Sequence, residues 1–274
     1  MRDVPRWKIF LRAMLGRGYP RLIGMQREKS WLFFDILLPF MATSAYVLVY
    51  EALGAPEAFK GFVLLGGAMT AFWTNVLWSM AMQLYWDKEV GNLQLYMITP
   101  APLMAVLAGM ALGGMAATAL RAAGILVAGS LLFDIRYHVA NLPALIAIFL
   151  ISLIALYGLG MLLASIFLVY GRGAWQITAT LQEGVYFISG FYFPVRSLGF
   201  WVAAAASIIP LTLGLDAMRQ LLYPDMLPLR FLSLRAEGAI LSALAVVFLS
   251  AAYAALRGME RKSRSDGRLT ERGN

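Results

Sequence analysis

The sequence predicts an all-α, polytopic membrane protein. It would have six transmembrane helices, an N-terminal amphipathic interfacial helix, a short cytoplasmic helix after the second span and a re-entrant helical hairpin before the last. Three observations carry this expectation: an apolar composition, a series of uncharged runs of bilayer length, and an uneven distribution of Lys and Arg. Of the 274 residues, 61% are hydrophobic and 14% charged, and the mean hydropathy is +0.71. A soluble domain of this size is nearer half apolar and about a quarter charged. Runs of roughly 20 apolar residues suffice to cross the hydrocarbon core.

The elements follow in chain order. Residues 1–30 form an amphipathic segment in which Val4, Trp7, Leu11, Met14 and Leu15 recur at three- and four-residue intervals. Arg6, Lys8, Arg12 and Arg17 fall on the opposite side, so the helix would lie in the membrane plane with its basic face toward anionic headgroups. Gly16, Gly18 and Pro20 should end it before a second basic cluster at Arg27 and Lys29. It serves either as an anchor alone or also as a lever or docking surface. Its charges are spread too widely for a cleavable signal peptide.

A six-helix domain then occupies 31–257. The first span covers 31–50 with Asp35 near its start, and the second covers 61–85 with no charge. Residues 87–100 between the second and third spans are polar and helix-compatible, with Thr99, Pro100 and Pro102 stopping the helix and turning the chain back. The third span, 103–133, holds only Arg121, and the fourth, 139–170, is uncharged. A fifth begins at Ala174 and holds Glu183, and the last covers 239–256. The stretch 190–223 is aromatic and broken by Pro194 and Pro210. It reads as two short helices dipping into the outer leaflet, or else as an amphipathic segment resting on it. A basic, polar tail, 258–274, follows.

Basic residues flanking spans are retained on the cytoplasmic side. With both termini inside, sixteen of the 23 Lys and Arg fall in cytoplasmic segments, six in external ones, and Arg121 within a span. The net charge of +8 is thus a topology and headgroup signal, which makes membrane lipids the partner of that charge and leaves no call for nucleic acid. Without cysteine and with a single histidine, His138, the chain lacks disulfides, thiolate metal sites and histidine clusters. An intramembrane hydrolase would need a nucleophile with its base, or a metal pair, in the spans. No Gly-x-x-x-x-Gly-Lys-Ser/Thr loop occurs either, so nucleotide phosphate is not cradled here in that way.

Charges at membrane depth face a bundle interior or a wet path. Glu183 is therefore a candidate for lining a translocation route, with the aromatics Tyr186, Phe187, Phe191, Tyr192 and Phe193 beside it. Arg121 either snorkels to the outer headgroups or pairs with Glu183. The Gly109 and Gly113 spacing suits close helix packing. Met80, Met82 and Met97 suit packing rather than metal binding.

Two stretches resemble the permease subunits of type-2 ATP-binding-cassette exporters. One is Glu89-Val90-Gly91-Asn92-Leu93-Gln94-Leu95 leading to Thr99-Pro100, in which Asn92 and Gln94 stand where the family usually has Thr and Glu. The other is Ser189-Gly190-Phe191-Tyr192-Phe193-Pro194, followed by Pro210-Leu211-Thr212 and Arg219-Gln220-Leu221-Leu222. The resemblance implies that 87–100 is a cytoplasmic coupling helix, with Asp87, Glu89, Gly91, Asn92, Leu93, Leu95, Thr99 and Pro100 as its coupling residues. Gly190, Pro194 and Pro210 would shape an exit cap.

The same resemblance implies a homodimer in a bacterial or archaeal plasma membrane, with separate cytoplasmic ATPase subunits holding ATP and Mg while this chain carries no cofactor and no catalysis of its own. Closure of those subunits would tilt the second and third spans as rigid bodies. The expected cargo is an amphipathic or lipid-linked molecule moved outward, with a glycan or glycolipid as the alternative within the family. From another class, an unpowered channel would have no use for the 89–100 pattern.

Overall fold

The computed structural model describes residues 5–27, 29–223 and 228–266. Val4, Pro224 and the tail beyond Asp266 lie outside the described residues, which are helical throughout with no strand among them. In order the helices are α1 (Arg6–Arg27), α2 (Lys29–Ala52), α3 (Ala58–Thr74), α4 (Gln83–Glu89), α5 (Asn92–Ile98), α6 (Leu103–Leu132), α7 (Leu142–Tyr170), α8 (Ala174–Ile188), α9 (Phe200–Ala206), α10 (Pro210–Leu222) and α11 (Leu234–Asp266). The chain is a polytopic helical membrane protein. Five stretches are long and apolar enough to cross a bilayer, and a bent pair, α9 with α10, brings the number to six if it counts as one span.

The run Ala58–Glu89, which joins α3 to α4, is the most enclosed of these stretches. Leu64, Phe72, Trp73, Val76 and Leu77 sit in the main core, against Leu107, Met110, Leu156 and Leu211 from α6, α7 and α10. Between α3 and α4 the chain winds as a π-helix over Asn75–Ala81. The Met82 N–H reaches back five residues to the Leu77 carbonyl at 3.1 Å. Such segments lengthen the turn and are common at functional positions. α7 packs along α11, and α2 lies on α3 and α6 with most of its surface outward.

Two expectations need correction. Gly16, Gly18 and Pro20 do not end α1, which continues to Arg27. The reason is packing: a Cβ on Gly109 would stand 2.3 Å from the Met14 carbonyl oxygen, and one on Gly18 3.0 Å from that of Gly109. α1 thus lies backbone to backbone along the first half of α6, and this contact outweighs the weak helix propensity of glycine and the lost hydrogen bond of one proline. The Gly109 and Gly113 pair serves this terminal helix. Trp7, Leu11 and Leu15 face outward from α1.

The fifth span is also shorter than expected. α8 has 15 residues, or about 22 Å at the helical rise, which is less than the roughly 30 Å of a hydrocarbon core. It starts near Tyr85 and Phe167 at the α4 end, where Ala174 packs, and reaches the C-terminal end of α3, where Tyr186 meets Thr74. The chain then breaks at Gly190 (φ 70°) and Pro194, and α9 and α10 follow with a 109° bend between them. The hairpin expected over 190–223 is this bent pair.

Candidate functional site

The polar segment after the second span folds into a compact elbow. α4 ends at Glu89, and Gly91 takes the left-handed conformation (φ 85°), where a side chain is strained. α5 runs back over seven residues, and Thr99 turns extended ahead of Pro100 and Pro102, which feed α6. Leu93 is buried in the main core and pins α5 down.

Asp87 ties the elbow together. Its carboxyl group is 2% exposed and accepts from Gln83 Nε2 at 3.1 Å, from the Tyr96 hydroxyl at 3.2 Å and from Arg17 Nη2 at 3.4 Å. One carboxylate therefore joins α4, α5 and the terminal helix α1. The Arg17 guanidinium also lies 5.6 Å from the Tyr96 ring centroid. Burial, together with the adjacent Asp87 carboxylate, raises the Tyr96 phenol above its ordinary range, so it remains a donor. One helical turn further on, Arg21 donates from Nη2 to the Ser79 carbonyl at 2.8 Å, inside the π segment. Arg17 and Arg21, spaced i and i+4, thus fasten α1 to the elbow span at two heights.

The coupling residues named from the sequence divide in two. Asp87 and Leu93 are buried and position the elbow, and Gly91 supplies its turn. Glu89, Asn92, Leu95, Thr99 and Pro100 face outward. With them stands Val90, and also an apolar side chain that the sequence did not single out, the 80% exposed Ile98. Ile98 was recognisable as an aliphatic residue before Thr-Pro in a segment with no room to bury it. Replacing Asp87 by alanine leaves three donors without their shared acceptor. The expected result is a local loss of about 2 kcal/mol, read as faster amide exchange over 88–98 with the exchange of α7 unchanged.

The second group of residues lies at the opposite end. Arg219 of α10 is 4% exposed and donates from Nη1 to the Gly190 carbonyl at 2.7 Å, and from Nη2 to the carbonyls of Phe191 at 2.7 Å and Phe62 at 2.9 Å. Its guanidinium stands 3.3 Å from the Phe62 ring centroid. The broken backbone after α8 is thereby satisfied within protein, as non-helical chain at membrane depth requires. Gly66 of α3 allows the close approach, because a Cβ there would meet the Phe191 carbonyl oxygen at 1.6 Å. Gln220 donates to Glu237 Oε2 at 2.9 Å and joins α10 to α11.

The aromatics expected along a route are placed unequally. Phe191 is fully buried and stacks edge-on with Tyr186, whose hydroxyl lies 2.7 Å from that of Thr74. Tyr192 stacks on Tyr46 at 4.0 Å, and its carbonyl accepts from the Tyr50 hydroxyl at 2.9 Å. Phe193, Pro194 and Tyr192 are half-buried, and Pro210 is buried at the start of α10. Only Glu183 and the 73% exposed Phe187 face freely outward, on one stripe of α8 with Gln176 and Thr180. Gln182 Nε2 donates to Glu183 at 3.3 Å.

Arg121 neither snorkels nor meets Glu183. Its Nη2 lies 2.8 Å from Asp35 Oδ2, joining α6 to α2. These two span charges thus each have a counterion one helix away, which the cost of an isolated charge favours. Among the described residues no group of three His, Asp or Glu side chains is placed to hold a metal ion.

A family model described as ABC-2 type transporter matches residues 19–223, well over half of the chain. No curated protein matches it.

Proposed function

Because the chain belongs to the ABC-2 type transporter family, and so is the multi-pass membrane component of an ABC transporter, we propose that it exports an amphipathic or lipid-linked molecule using ATP hydrolysed by a separate subunit. The observation that carries this reading is the elbow. Its outer face exposes Val90, Leu95 and Ile98 at the end of the polar segment, while its inner face is fastened by Leu93 and Asp87 to the core and to α1. A connector between two spans needs neither an apolar tip nor a rigid mount. A surface pushed by a cytoplasmic ATPase, holding ATP and Mg on its own residues, needs both.

In this reading the elbow end, both termini and the basic flanks are cytoplasmic, in a bacterial or archaeal plasma membrane. Two copies of the chain stand side by side. The outward stripe of Gln176, Thr180, Glu183 and Phe187 on α8 would be too polar for lipid contact over its length, and a route between two copies gives it water or cargo to face. The lid of that route is the bent pair α9 and α10, riveted by Arg219.

Co-expression with a candidate ATPase subunit tests the reading. A complex of two permeases and two ATPases, with ATP-dependent cargo uptake into inside-out vesicles, is the expected result. Glu183→Gln should change the cargo stimulation of ATP hydrolysis without changing assembly. Failure of any ATPase subunit to associate, or cargo flux independent of ATP, would overturn it.

A further inference from the structure

At the elbow end of the bundle a cleft of about 720 Å³ opens between α1, the 99–102 segment with the first turn of α6, and the last turns of α11. That volume falls within the roughly 300–1,000 Å³ of small-molecule sites. Two cations line it, Arg6 and Arg257, and its walls are apolar, with Trp7, Phe10, Met104 and Leu256. Among the described residues neither guanidinium has a carboxylate within ion-pair distance. Arg257 rests instead beside Tyr253, 3.3 Å from Nη1 to the hydroxyl. The carboxylate in the cleft, Glu260, is committed elsewhere: its Oε1 accepts from the Leu103 N–H at 2.5 Å, at the N-terminus of α6 where negative charge is stabilised.

The arrangement has two parts that ask for one ligand. Guanidinium groups bind phosphate oxygens through paired, charge-assisted hydrogen bonds. Basic pockets between membrane helices take anionic headgroups. A free anion would use the cations and leave the apolar walls wet. A neutral amphiphile would use the walls and leave two cations without a counterion. A phospholipid with an anionic headgroup satisfies both, and the cleft lies where the spans α6 and α11 end and the outward apolar residues of α1, Trp7 and Leu11, continue.

We propose that this cleft holds one anionic phospholipid, its phosphate between Arg6 and Arg257 and its acyl chains against Trp7, Phe10 and Leu256. The lipid bridges α1 and α11 beside the Pro100 to Pro102 turn, so it braces the terminal helix that Arg17 and Arg21 fasten to the elbow. Its binding goes beyond the export reading and depends on neither cargo nor direction of transport.

The test uses the full chain in detergent, titrated with phosphatidylglycerol or phosphatidylcholine and read by native mass spectrometry. The expected result is one tightly retained phosphatidylglycerol, held at least tenfold more strongly than phosphatidylcholine and not displaced by millimolar inorganic phosphate. The double variant Arg6→Gln/Arg257→Gln should lose that tenfold preference. Arg6→Lys/Arg257→Lys should recover part of it, and Arg12→Gln/Arg261→Gln, with exposed cations outside the cleft, should keep it. Equal retention of the two lipids by the unsubstituted chain, or an unchanged preference in the double glutamine variant, would overturn the proposal. So would displacement by inorganic phosphate, which would mean a free-anion site. Loss of ATPase association in the double glutamine variant with lipid retention intact would assign the cleft to a protein partner and overturn it equally.

Discussion

Arg219→Leu is expected to lower the stability of the protein by about 3–5 kcal/mol, because three buried carbonyl acceptors lose their shared charged donor. The leucine fills much of the volume but donates nothing, so the carbonyls of Gly190, Phe191 and Phe62 lose their donor in a dry environment. Each unsatisfied buried acceptor costs about 1–3 kcal/mol. Stacking of the guanidinium over the Phe62 ring is lost as well. Arg219→Lys should recover only part, since an ammonium is a point charge and cannot hold three divergent acceptors in a planar fork. Unfolding of the purified protein in mixed micelles reads the total, and amide exchange over 189–199 should rise before that of α3. A loss below about 1 kcal/mol would show that the break after α8 is held by something other than this guanidinium.

Leu95→Arg/Ile98→Arg should leave stability unchanged and sever association with the ATPase subunit. Both side chains are exposed in the isolated chain, so charge there meets water and costs the fold little. At a partner's surface the same two charges would be buried without counterions at the centre of the contact. Interface anchors of this type cost about 2 kcal/mol each when lost, so the pair should weaken binding by roughly 1,000-fold. Co-purification and a binding titration with the ATPase subunit measure it. Wild-type affinity in the double variant would remove the elbow from the interface and leave α1 as the remaining docking surface.

Much of the membrane architecture was legible because it rests on composition over long windows. The third and fourth spans, expected at 103–133 and 139–170, are α6 at Leu103–Leu132 and α7 at Leu142–Tyr170. Those bounds follow from apolar runs with Pro102 and Pro143 at their starts, which are local signals. The stop at Thr99-Pro100 was legible for the same reason, but the single helix expected over 87–100 is broken at Gly91, whose left-handed turn divides it between the end of α4 and α5.

What escaped the sequence is non-local. Arg17 and Arg21 read as topology charges, and nothing near them in the chain announces Asp87 or Ser79. Arg121 had two plausible fates, and its actual partner, Asp35, belongs to the span that lies against it in space. Arg219 sat in a recognisable pattern, yet its three acceptors are carbonyls, which carry no residue-type signature. The continuation of α1 through Pro20 depends on glycines of α6 that a reading of α1 alone cannot weigh.

The π segment at Asn75–Ala81 bears on how a push could travel. Such a segment stores one residue more than an α-helix of the same height, so its loss would screw everything below it by the angle of a single residue, about 100°. The elbow hangs from that point, and Arg21 grips the Ser79 carbonyl within it. Winding up that slack would swivel Val90, Leu95 and Ile98 about the helix axis while Phe72 and Trp73 above stay seated. Under the proposed coupling, the second span would then serve as a torsion joint as well as a tilting rod, with α1 as its detent.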